Sequence, residues 1–107
     1  MTSNRRPYAV LFTKTNCKPC LQTKQHLDEV IERDERFYEV ISTLAIENHS
    51  ALRSAYELDL FPTLIIVDQN AKGPDSNEIE RIVGGKAIRA VLADKLKDIY
   101  TERQLNG

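Results

Sequence analysis

Across its 107 residues this sequence has no tryptophan, one methionine, four glycines, four prolines and two cysteines. Nowhere does it hold an apolar run long enough to span a bilayer, which takes roughly 20 residues. Its opening, Met1-Thr2-Ser3-Asn4-Arg5-Arg6-Pro7, lacks the apolar centre of a secretory signal. Neither sign of charge dominates, with 15 Lys and Arg against 16 Asp and Glu. That balance gives no general case for nucleic acid or an anionic membrane as partner. No internal repeat or low-complexity block is present. A single domain over residues 1–107 with a modest core is expected at this length. A cytoplasmic setting follows as the default, and there a cysteine pair is more often catalytic than structural.

Both cysteines fall in one stretch, Thr13-Lys14-Thr15-Asn16-Cys17-Lys18-Pro19-Cys20. An apolar run, Tyr8-Ala9-Val10-Leu11-Phe12, precedes it, and a helical pattern follows it. A C-x-x-C at a strand-to-helix junction in a βαβ context reads as a thiol–disulfide redox site. The thiolate is the attacking species, and a free Cys titrates only near pH ~8.5. Placing Cys17 at a helix start aims unpaired N–H groups and the positive end of the macrodipole at its sulfur. Lys18 adds positive charge beside it, and Lys14 adds more from the strand side. Pro19 suits a first helical turn, where its missing N–H costs nothing. Cys20 lies about one turn on, within reach of a disulfide. Cys17 is therefore assigned as nucleophile and Cys20 as resolving thiol.

Two other readings stay open at this point. The cysteines can be inert and structural, or they can be metal or cluster ligands joined by His26 and His49. A structural zinc site needs four ligands at characteristic spacings. The separations here do not match one, and no metal is expected. His26 on a helix and His49 in a cap region are read as solvent-facing or capping residues.

Residues 1–7 read as a loose polar lead-in and residues 8–13 as a central buried strand. A helix is expected from Lys18 to Arg33, with Cys20, Leu27 and Val30-Ile31 on its apolar stripe. After a charged turn, Phe37-Tyr38-Glu39-Val40-Ile41 reads as a second, parallel strand. A second helix capped by Asn48 or Ser50 carries Ala51, Leu52, Ala55, Tyr56 and Leu58. Pro62 cannot donate to a ladder, so it stands just before a third strand at residues 64–68. Residues 69–77 form a polar loop, and Glu78 to Val83 an edge strand. Gly84-Gly85 allows a tight bend and a close backbone approach. A last helix runs from Lys86 to Glu102 on Ile88, Val91-Leu92, Leu96 and Ile99, and residues 104–107 fray. The order β-α-β-α-β-β-α predicts an α/β fold, a four-stranded mixed sheet flanked by helices.

With Cys17-Lys18-Pro19-Cys20, Phe61-Pro62-Thr63 and Val83-Gly84-Gly85 in view, the chain resembles the thioredoxin-fold superfamily from about Tyr8 to Tyr100. The resemblance implies a cis Phe61–Pro62 bond packed against the dithiol, with Phe61 offering backbone hydrogen bonds to a bound partner. It also implies a substrate surface of Lys14, Lys18, Pro19, Phe61, Pro62, Thr63, Gly84 and Gly85. The front half, Phe12 to Cys17 and Gln22-Thr23-Lys24, is similar to glutaredoxins and to glutaredoxin-like donors of ribonucleotide reductase. The back half and Pro19 are similar to thioredoxins. Asn16 replaces the tryptophan that thioredoxins carry before the first cysteine. Their buried acid falls near Leu11 and its lysine partner near Thr43, so that proton relay is missing. Lys18-Pro19 also departs from the usual Pro-Tyr of glutaredoxins.

The expected activity is disulfide reduction by way of a mixed disulfide. Clients are disulfide-containing proteins, with ribonucleotide reductase implied by resemblance alone. The reductant is a thioredoxin reductase or glutathione. No resident cofactor is expected beyond the Cys17–Cys20 disulfide itself, with glutathione as a candidate co-substrate and a monomer as the expected state. Two alternatives are a glutathione-coupled glutaredoxin and a non-catalytic binding subunit that uses the same fold.

Overall fold

A computed structural model of the protein describes residues 5–72 and 77–106. Residues 1–4 of the lead-in expected over 1–7, the middle of the polar loop at 73–76 and the last residue lie outside those described, and Pro7 of that lead-in already belongs to the first strand. Four strands, β1 (Pro7–Thr13), β2 (Ile41–Ala45), β3 (Thr63–Asp68) and β4 (Glu78–Val83), form one sheet in the order β2-β1-β3-β4. β2 runs parallel to β1, while β3 runs antiparallel to both β1 and β4. Among the described residues three α-helices, α1 (Lys18–Arg33), α2 (Ser50–Ala55) and α3 (Gly85–Asn106), complete the expected element order. No described helix is long and apolar enough to cross a membrane.

Alternation along the two central strands divides the interior into two halves. Ala9, Leu11, Leu64 and Ile66 meet Leu27 and Val30 of α1 and Ile88, Leu92, Leu96 and Ile99 of α3. Phe12, Ile65 and Val67 meet Ile46, Tyr56 and Leu58 on the other face. Successive side chains of a strand point to opposite faces, so both faces of β3 are apolar because both are covered.

The second strand begins four residues later than expected. Glu35–Val40 forms a 3-10 turn, and β2 follows at Ile41–Ala45. Phe37 and Val40, three residues apart on one side of the turn, are buried in the core with Leu27, Val30 and Ile99, while Tyr38 is 74% exposed. Of the run expected as a strand, residues 37–40 are thus a plug at the sheet's edge, and Ile41 alone belongs to β2. Asp34 starts this turn by accepting from the Arg36 amide at 3.2 Å. The second helix is also shorter than expected. It ends at Ala55, its cap position is His49, and no side chain caps it. Tyr56 and Leu58 fill the core from the segment after it.

The last helix runs one turn further than expected, to Asn106. Long-range polar contacts hold that turn. Arg103 donates to the Pro7 carbonyl at 3.0 Å and to Gln69 Oε1 at 2.8 Å, and Arg5 donates to Glu102 at 2.7 Å.

Candidate active site

β1 and β3 are antiparallel, with Phe12 paired to Thr63, so the end of β1 and the start of β3 share one end of the sheet. Thr63 also pairs with Val83, which brings the end of β4 there too. Three segments far apart in sequence, residues 13–20, 60–63 and 83–85, converge at this end.

Cys17 is the N-cap of α1, in extended backbone geometry, and its Sγ accepts from the Cys20 amide at 3.2 Å. A helix-terminal N–H is therefore aimed at that sulfur, where the positive end of the helix dipole favours a thiolate. Cys17 and Cys20 form a disulfide with their Cα atoms 5.2 Å apart. Cys17 is half-buried, whereas Cys20 is 2% exposed. A partner can reach only the first sulfur freely.

The Phe61–Pro62 peptide is cis. The Phe61 carbonyl oxygen lies 3.8 Å from the Cys17 sulfur, so main chain borders the disulfide directly. The Pro62 carbonyl accepts from the Gly84 amide at 2.9 Å, which ties this segment to the bend after β4. Gly84 has φ +97, a conformation that favours glycine. Gly85 is needed for space: a Cβ there would lie 3.0 Å from Thr23 Oγ1 and 3.2 Å from Pro19 Cβ. The start of α3 thus packs directly on the first turn of α1.

Lys14 and Lys18 are exposed beside Cys17 in a cleft of about 710 Å3. The Lys14 ammonium lies 5.9 Å from the centre of the Phe61 ring. Pro19 is exposed and borders a second groove with Gly84 and Gly85. Thr63 is 2% exposed, and its hydroxyl donates to the Leu60 carbonyl at 2.6 Å. Its side chain serves the turn and faces inward. Among the described residues no three of His, Cys, Asp and Glu group as metal ligands.

Leu11 and Thr43, where a buried acid and its lysine would stand, are register partners in the β1–β2 pair, and Leu11 is fully buried. The polar residues buried among those described are Thr13, Thr23 and Thr63. Among the described residues no Asp, Glu, Lys, Arg or His side chain is buried beneath the disulfide.

Of four further contributors, three have little signal in the sequence. Glu47 reaches back from a 3-10 turn after β2 to accept from the Thr15 amide at 2.8 Å and the Thr15 hydroxyl at 3.2 Å. The Thr15 amide bond above all, then its own backbone N–H and, further down, the Lys14 charge, hold the Glu47 carboxyl below the usual range. Arg53 stands 5.7 Å from the Phe61 ring centre, and Arg89 donates to Thr23 Oγ1 at 3.3 Å. These three come from distant segments. Asn16, at φ +54, is the exception, since Asn tolerates the left-handed region and stands next to the cysteine.

No curated protein matches the chain. Solved structures do. Thioredoxin from Trypanosoma brucei brucei superposes with a TM-score of 0.64 at 20% identity, over 89% of this chain and 75% of that one. The germline-specific thioredoxin Deadhead of Drosophila melanogaster gives 0.64 at 14% identity, over 88% and 81%. Thioredoxin from Fasciola hepatica gives 0.63 at 18% identity, over 94% and 84%. These similarities establish the fold. The sequence itself matches the family described as a thioredoxin-like domain over residues 1–99, and the chain belongs to that family.

Proposed function

We propose that this protein is a thiol–disulfide oxidoreductase that reduces disulfides in client proteins. The observation that carries the reading is Cys17 at the α1 N-cap, half-exposed and bonded to a buried Cys20. In the reduced protein the Cys17 thiolate attacks one sulfur of a client disulfide. The client's other sulfur leaves as a thiolate and takes a proton from solvent. The mixed disulfide lies along Phe61 and Pro62, and the Phe61 carbonyl borders Cys17. Cys20, as thiolate, then attacks the Cys17 sulfur and expels the second client thiolate. Two electrons pass to the client, and the Cys17–Cys20 disulfide forms. Rates follow thiolate fraction, intrinsic nucleophilicity and leaving-group pKa together.

A reductant must restore the dithiol. A flavin-dependent thioredoxin reductase and glutathione are the two sources proposed, and ribonucleotide reductase is proposed as one client. Action as a monomer in the cytoplasm fits this assignment, because reducing conditions keep such a dithiol charged with electrons.

The test is trapping. Reduced Cys20→Ser protein should accumulate a mixed disulfide with a client that carries an exposed disulfide, and Cys17→Ser should abolish insulin reduction. Wild-type rates in Cys17→Ser sink the reading. Equilibration with glutathione then separates the electron sources: a potential near about −270 mV favours the reductase, one near about −200 mV favours glutathione.

A further inference from the structure

The end of the molecule that carries the disulfide is ringed by positive charge that the rest of the protein does not match. Lys14, Lys18 and Lys24 line the cleft on the β2 side of Cys17. Lys86 and Arg89 line the groove on the other side, beyond Pro19. Arg53 joins Lys14 around the Phe61 ring. These six belong to a chain whose formal net charge is −1. One carboxylate, Glu47, lines either groove among the described residues. It is already engaged by the Thr15 amide and hydroxyl. Elsewhere four cations stand in ion pairs: Arg5 with Glu102, Arg36 with Asp34, Arg81 with Glu78 and Lys95 with Glu80. None of those four ion pairs uses any of the six.

The same end exposes apolar side chains. Leu21 borders the β2-side cleft and is 57% exposed, Val83 borders the other groove at 42%, and Leu60 stands next to Phe61 at 66%. An apolar centre with a charged rim is the anatomy of a protein docking surface. Cations flanking a cleft on both sides raise the local concentration of a ligand of opposite charge and speed its encounter.

We infer that this face selects client polypeptides whose disulfide is flanked by Asp and Glu. The inference rests on the oxidoreductase reading and names its substrate class. A client strand laid across Cys17 places residues on one side of its disulfide near Lys14, Lys18 and Lys24. Residues on the other side fall near Lys86 and Arg89. Carboxylates at those positions meet cations on both sides, whereas lysines meet repulsion.

The experiment compares three disulfide peptides that differ only in flanks of Glu, Gln or Lys, together with uncharged hydroxyethyl disulfide, each reduced by the full chain in its dithiol form. The Glu peptide should react about tenfold or more faster than the Lys peptide at low salt. The ratio should fall to within about twofold near 0.5 M salt, where screening reaches only a few ångströms. Lys24→Glu combined with Lys86→Glu should narrow or invert the low-salt ratio. Equal rates for the three peptides at low salt, with hydroxyethyl disulfide still reduced, overturn the charge selection and leave the oxidoreductase reading standing. Failure to reduce any of the four takes both down. A Glu preference that persists undiminished in high salt also overturns the inference, because its origin would not be electrostatic.

Discussion

The Glu47 carboxylate accepts from the main-chain amide of Thr15 at 2.8 Å, across 32 residues of sequence. This contact pins the loop that delivers Cys17 to the end of β2. It also keeps a negative charge within the field of Lys14 without spending it on the sulfur.

Glu47→Ala should loosen that loop and leave the fold intact. Misplacing a nucleophile by a fraction of an ångström to an ångström lowers the rate of reaction, so client reduction should slow by about two- to tenfold. Glu47→Gln keeps an acceptor for the Thr15 amide and should recover most of the loss. Stopped-flow kinetics on an uncharged disulfide reads both, and an unchanged Ala variant contradicts the clamp.

Gly84→Ala and Gly85→Ala should both destabilise, for different reasons. At Gly84 there is open space, but φ is +97, so the loss is in the backbone, about 1–2 kcal/mol. At Gly85 a new methyl would crowd Thr23 and Pro19, and overpacking of that kind costs about 1–3 kcal/mol. The Gly85 variant should additionally disturb the first turn of α1 and hence slow the dithiol. Urea unfolding beside disulfide-reduction kinetics separates the two.

Phe37 is 7% exposed and its neighbour Tyr38 is 74% exposed. Phe37→Ala should cost about 3–5 kcal/mol, as truncations of buried aromatics do. Tyr38→Ala should stay within about 0.5 kcal/mol, as surface changes do. Comparable losses at the two positions would contradict the 3-10 plug.

Asp34, Glu47, Asp68, Glu78 and Glu102 all titrate below their usual range. The leading cause in each case is a hydrogen bond, from the Arg36 side chain, the Thr15 amide, the Arg6 amide, the Arg81 side chain and the Arg5 side chain in turn. A depressed folded-state value contributes stability that is present above the unfolded value and lost as pH falls through the folded one. The melting temperature should hold from pH 7 to about 5 and decline below about pH 4. These carboxylates are exposed or half-exposed, so the decline should be gradual and weaker in high salt. A melting temperature that rises between pH 5 and 3 would contradict the signs.

The dithiol is legible in the sequence because its physics is local. Cys17, Pro19 and Cys20 sit within one helical turn, and the apolar run before them and the stripe of Leu27 and Val30 after them announce a strand and a helix. The β-α-β-α-β-β-α order is legible for the same reason, as each element carries its own period. Residues 37–40 mislead because β-forming side chains also suit a buried turn, and only the core beneath them decides between the two. The final turn through Asn106 depends on Pro7, Gln69 and Arg5, which no local pattern connects to Arg103 and Glu102. Glu47, Arg53 and Arg89 reach the site from separate segments, and a lone charged residue in a loop or on a helix has no periodicity to betray it.

The β1–β3 pair has the disulfide at its Thr63 end and the Arg103 fastening at its Pro7 end, roughly 20 Å away along the strand. An attachment handle introduced at Leu105, which is 81% exposed, would therefore sit at the opposite pole from the sulfurs. Immobilised on a bead or an electrode by that pole, the protein would present its dithiol outward, oriented and unobstructed.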